Sequence, residues 1–192
     1  AVGRADVSLQ KLGFSTDNGA YYYYKTEARK TYEQTILDVA AHAAKVGTPY
    51  KYWLADSWWY YKDASGGGVT NWTARPDVFP HGLERVFEAT SWPVQGHNRY
   101  WSNRTTYAKQ NGGAYDFILD SSGGQYGYAL PTEQRFWDDL IANATAWGLA
   151  VYEQDWLNDE FDRCPPLTED GELARTWLVQ MGRACDMHGV AI

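Results

Sequence analysis

Trp147-Gly148-Leu149-Ala150-Val151-Tyr152-Glu153-Gln154-Asp155-Trp156 is the stretch whose reading decides the fold. A helix-like run over 136–147 stops at Gly148, where a glycine suits a C-terminal cap. The apolar burst over 149–152 reads as a buried strand. It ends in a polar cluster of Glu153, Gln154, Asp155, Asn158, Asp159 and Glu160. In α/β folds ligands sit outside the carboxyl ends of the strands, so this cluster is where chemistry is sought.

Outward from that stretch, the same alternation repeats. Residues 9–14, with Leu9, Leu12 and Phe14, read as a first strand ending at Ser15-Thr16-Asp17-Asn18-Gly19. Apolar positions between 31 and 46 recur at helical spacing until Gly47 and Pro49. Residues 50–54 form a second strand closing on Ala55-Asp56-Ser57-Trp58-Trp59, and 81–90 a short helix. Residues 92–98 form a third strand, with His97 and Arg99 at its end. The weakly periodic excursion over 100–131 carries a hairpin signal at 115–119. Ser65-Gly66-Gly67-Gly68 reads as a flexible loop and not a phosphate cradle, because no Lys-Ser/Thr follows it. After the Pro165-Pro166 turn, a helix over 169–187 leads to Gly189-Val190-Ala191-Ile192, the start of a fifth strand.

Four strand–helix alternations imply a parallel sheet with helices packed outside it. A complete (β/α)8 barrel takes roughly 250 residues. The expected fold class is therefore α/β: a partial (β/α)8 TIM barrel of about four βα units plus the start of a fifth strand. Residues 1–192 would be one domain, the N-terminal half of a barrel and a fragment of a longer chain. An apolar strand at the end of such a sheet leaves an open edge. The rest of its own barrel, or a partner chain, is expected to cover it.

Composition narrows the function. The net charge is -7 and no basic run occurs, which argues against nucleic acid. No apolar run approaches the roughly 20 residues of a membrane span. The 10 Trp and 15 Tyr suit stacking on sugars and large cores equally. Asn71, Asn103 and Asn143 each open an N-glycosylation sequon, which favours a secreted glycoprotein; Asn143 would need an exposed helix face. Ala1 is not an initiator Met, consistent with a processed or excised segment. Cys164 and Cys185 form one bridge or stay free. The four histidines are scattered without metal-ligand spacing and no nucleotide motif follows a strand, so neither metal nor cofactor is expected.

Three motifs in order carry a family resemblance: Ala55-Asp56-Ser57-Trp58 at the second strand's end, Trp72 followed by Val78-Phe79-Pro80-His81-Gly82-Leu83, and Trp147-Gly148 leading to Glu153-Gln154-Asp155. Together they resemble the catalytic barrel of the α-galactosidase (melibiase) and raffinose-synthase group of glycoside hydrolases, over about residues 12–192. The resemblance implies a glycoside hydrolase or transglycosidase acting on α-linked sugars by a retaining mechanism, with Asp155 as the strand-four nucleophile. It implies that Asp56 binds sugar hydroxyls beside Trp58 or Trp53 as a stacking wall, and that the acid/base comes from a sixth strand outside this chain. Two positions depart from the family pattern: Ala55 replaces an Asp and Glu153 a Lys, which puts galactose specificity in question.

Other strand-end groups complete the expected carbohydrate site. Glu153 lies two residues before Asp155 and so on the same side of a strand, where like charge raises one pKa. Asp17 and His97 end the first and third strands, and the Tyr21-Tyr22-Tyr23-Tyr24 run is a further platform candidate. The competing reading is a catalytically inactive glycan-binding or structural extracellular glycoprotein on the same barrel, motivated by Ala55 and Glu153. A third is a half-barrel completed by dimerisation.

Overall fold

The computed structural model describes residues 6–122 and 127–192. A short helix α1 (Val7–Gln10) precedes β1 (Leu12–Ser15), α2 (Tyr32–Val46) and β2 (Tyr50–Ala55). Next come β3 (Tyr61–Lys62), β4 (Val69–Asn71), α3 (Gly82–Thr90) and β5 (Val94–Asn98). Then β6 (Trp101–Ser102), β7 (Phe117–Asp120), β8 (Tyr128–Pro131) and α4 (Gln134–Thr145) follow. The chain closes with β9 (Leu149–Gln154), α5 (Leu157–Arg163), α6 (Pro165–Glu169) and α7 (Gly171–Met187).

Local chemistry accounts for the boundaries that matter. Thr31 and Gln34 form a reciprocal capping box at the start of α2, and Gly47 ends it at φ 76°. Gly148 turns α4 into β9 at φ 86°, and a Cβ there would lie 2.5 Å from the Phe87 ring. Only glycine satisfies both demands.

The result is a mixed α/β fold with a four-stranded sheet in the order β1-β2-β5-β9, every pair parallel. Ala191 extends it beyond β9: its carbonyl accepts the Tyr152 N–H at 2.8 Å and its N–H donates to Ala150 O at 2.9 Å. Strands therefore lie side by side in the order of the chain, as expected. No described helix is long and apolar enough to cross a membrane.

Several expectations are corrected. Leu9 lies on α1 and is exposed, so the first strand starts only at Leu12. Pro165 opens a short helix instead of a turn, because its fixed φ suits a first helical position. The stretch 115–119, expected to hold a whole hairpin, supplies most of a single strand, β7, whose antiparallel partner β8 lies at Tyr128–Pro131. With β3, β4 and β6 these strands form a second sheet, ordered β3-β4-β6-β8-β7. Residues 123–126 of the excursion lie outside the described residues.

The aromatic content goes largely into the core. All tryptophans except Trp147 and Trp156 are buried, and Trp59, Trp72 and Trp147 meet at ring-centroid distances of 5.0–5.6 Å. Trp101 on β6 packs on Phe136 and Trp137 of α4, which fastens the second sheet to the first.

Candidate active site at the strand ends

Side chains alternate across a strand, so register decides which acids meet. His97 is paired with Glu153, and Asp56 follows Ala55, which is paired with Gly96. Asp56, His97, Glu153 and Asp155 thereby share one face at the carboxyl ends of β2, β5 and β9. Gln95 is on that face too, and its Nε2 donates to Glu153 Oε2 at 2.7 Å.

A hydrogen-bond relay runs across this rim. The Tyr60 hydroxyl lies 2.9 Å from His97 Nδ1, and His97 Nε2 lies 3.2 Å from Asp155 Oδ2. Burial pushes the Tyr60 phenol well above its ordinary range, so it stays protonated and donates. His97 Nδ1 then accepts, and Nε2–H donates to Asp155. The imidazole cannot swing away: it is 2% exposed and stacked on Tyr60. Asp155 Oδ1 accepts the Trp156 N–H at 2.7 Å, so two donors set the plane of a carboxylate that is 55% exposed.

Burial pushes the Glu153 carboxyl up, and the charges of Asp56 and Asp155 push it further; Gln95 and His97 pull the other way. These opposed influences place Glu153 within electrostatic reach of Asp56, His97 and Asp155. Asp56 is 7% exposed and accepts the Ser57 N–H. Three carboxyl groups on one face, one tending to hold its proton, are the raw material of acid/base and nucleophilic chemistry.

The remaining sequence candidates lie elsewhere. Asp17 is exposed and bonded to Asn18, its neighbour in the chain. Trp53 is sealed in the core against Phe79 and offers no face to a sugar, because its position on β2 points it away from the rim. Trp58 is 1% exposed beneath Tyr22, Tyr23, Tyr24 and Tyr32. The tyrosine run is thus a cover over Trp58. Asn71 lies on β4 with Oδ1 bonded to Tyr107 and Thr73, Asn103 lies just after β6, and Asn143 is on the exposed face of α4. Cys164 and Cys185 are free and buried, and burial pushes both thiols up to about 12.

Four participants escaped sequence reading as site residues. Gln95 and Arg99 alternate with His97 along β5 and the residue just past it, a period-2 signal that was available. Tyr60 and Lys62 come from the segment after β2, whose return to the rim depends on the second sheet and left no local signal. A cleft of about 610 Å³ lies beside β1, lined by Phe14, Tyr21, His42 and Tyr50 among others, and none of the rim residues takes part in it.

No family model matches the sequence, and no curated protein does. Solved structures do resemble the fold. An α-galactosidase from Lactobacillus brevis superposes with a TM-score of 0.60 at 12% identity, over 94% of this chain and 26% of that one. A xylosidase from Aspergillus niger superposes with a TM-score of 0.45 at 14% identity, over 73% of this chain and 20% of that one. The chain thus spans about a quarter of the α-galactosidase's length, and what the first likeness shows is a fold shared with that part of it.

Proposed function

We propose that this chain is the N-terminal half of a (β/α)8 glycoside hydrolase barrel acting on α-linked sugars with retention, with Asp155 as nucleophile. One observation carries the reading. Asp155 ends the fourth parallel strand, solvent-facing, with both oxygens oriented by hydrogen bonds from His97 and the Trp156 amide. A retaining enzyme needs such a carboxylate aimed at the anomeric carbon and a second carboxyl about 5 Å away as acid/base. In this reading the second group comes from the rest of the barrel, which also covers the edge of β1. Asp56 takes sugar hydroxyls. Glu153, tending to keep its proton, donates a hydrogen bond where the family has a cation. The α-galactosidase likeness supports the barrel and the class of reaction. The sequons, with Asn143 exposed, support a secreted glycoprotein.

The test is Asp155→Asn in the full-length protein, assayed on aryl α-glycosides. Turnover should fall by about 10³-fold or more, with binding of the same glycosides retained. Undiminished turnover sinks the nucleophile assignment. A wild type that binds glycosides and never cleaves them favours the glycan-binding reading, to which Ala55 and Glu153 point.

A further inference from the structure

Two cations at the rim have no carboxylate against them. Lys62, on β3, places its Nζ 5.4 Å from the Tyr23 ring centroid and 5.6 Å from that of Tyr24. Arg99, just past β5, lays its guanidinium 4.0 Å from the Trp156 ring centroid and 5.1 Å from that of Tyr100. Among the described residues neither side chain forms an ion pair, and the buried Nε of Arg99 lacks any hydrogen-bond partner. Arg75 nearby shows the contrast: it is bonded to Asp77 and to the Tyr24 hydroxyl.

Lys62 and Arg99 repel each other, and burial, Arg99 and Arg75 lower the Lys62 pKa to about 8, against the opposing pull of Asp56. Two half-covered cations near each other, neither with an ion-pair partner, are an unfavourable arrangement. Packing holds it in place. The Gly67 backbone comes so close that a Cβ there would lie 3.4 Å from Arg99 Nη1, and the Tyr100 hydroxyl donates to the Gly66 carbonyl. The chain's net charge of -7 would otherwise repel an anionic ligand, so attraction must be local.

We propose that Lys62 and Arg99 form a subsite for an anionic substituent, a carboxylate or a sulfate, carried by the sugar that reaches Asp155. Arg99 presents a planar fork and Lys62 a point charge, a combination that clamps an oxyanion from two sides. Arg99 lies over Trp156, whose N–H donates to Asp155, and Lys62 is paired with Val69, whose N–H donates to the carbonyl of Tyr100, the residue after Arg99, so both cations stand beside the carboxylate rim. The inference deepens the glycosidase reading and rests on it for the sugar, though not for the anion.

Calorimetric titration of the full chain at pH 6.5 tests it, with methyl α-galactoside, its 6-sulfate, methyl α-galacturonide and plain acetate and sulfate as ligands. At least one anionic glycoside should bind about tenfold or more tightly than the neutral one, and which of the two does identifies the group. That ratio should fall towards one in Lys62→Met and in Arg99→Gln, and return in Lys62→Arg, each variant checked for native circular dichroism. Equal affinities for neutral and anionic glycosides overturn the subsite and leave the glycoside reading standing. Binding of acetate or sulfate that needs Lys62, with no glycoside bound, keeps the subsite and overturns the sugar. Binding of none of these overturns both.

Discussion

Asp63 in the second sheet and Glu153 at the rim of the first are driven in opposite directions. Burial alone would raise the Asp63 carboxyl, but hydrogen bonds from Ser65 and Ser102 and the charge of Arg104 hold it below its ordinary range. Burial raises Glu153, and the hydrogen bond from Gln95 and the charge of His97 do not offset it. Around Asp63 donors converge on an acid; at the rim acids converge on one another. The first arrangement ties strands together, and the second keeps reactive groups available at a cost in stability.

The hardest blow to this contrast falls on the joint between the sheets. Trp101 is fully buried among Tyr107, Phe136 and Trp137. Trp101→Ala should cost about 3–5 kcal/mol in denaturant melts. Amide exchange should rise through β3, β4, β6 and β8 first if the second sheet opens as a unit. A loss below about 1 kcal/mol would mean that the two sheets are not fastened there.

Asp63→Asn is a smaller and pH-dependent change. Asp63 accepts from the Ser65 N–H at 2.8 Å, the Ser65 hydroxyl at 2.6 Å and the Ser102 hydroxyl at 3.0 Å, and pairs with Arg104 at 3.3 Å. A depressed folded-state pKa gives stability that is present above the unfolded value, near 4, and is lost as pH falls through the folded one. The variant should therefore be less stable by about 1–2 kcal/mol at pH 7 and close to wild type near pH 2. A gap that persists unchanged in acid would locate the effect in packing and not in charge.

The two sheets also differ in how far the amino-acid order reveals them. The parallel sheet is legible because β2 and β9 carry compact apolar stretches bounded by a glycine, a proline or acids, as with Gly148 before β9. Its helices follow from 3.6-residue periodicity and from caps such as Thr31 and Gly47. The second sheet is not, because β3 and β6 are two residues long and β4 only three. Strands so short carry no period, and pairing partners such as Trp101 and Ala129 are 28 positions apart. The site divides along the same line. Asp56, His97, Glu153 and Asp155 are visible as strand-end polar groups, whereas Tyr60 and Lys62 reach the rim only through the second sheet. Trp53 shows the opposite hazard: a tryptophan beside a strand-end acid reads as a sugar platform, and alternation turns it into the core.

Glu160 on α5 sharpens the contrast by removing the donors altogether. It is fully buried, and among the described residues neither carboxyl oxygen has a hydrogen-bond partner. Burial first, and Asp159 second, push it well above the carboxylate range, so it is held as the neutral acid. A raised folded-state pKa gives stability that is complete below the unfolded value, near 4.3, and is lost as pH rises through the folded one. The native state must then either keep a proton that the unfolded chain has released or bury a charge without a partner. Glu160→Gln carries no titrating group, so its unfolding free energy should exceed that of wild type by on the order of 1 kcal/mol at pH 8, with the difference closing at pH 4. Glu153→Gln, at a site that has Gln95 as a donor and lies nearer solvent, should give the same sign with a shallower slope. Equal slopes for the two variants would show that the amide does little for Glu153 and that proximity of the rim acids sets its protonation.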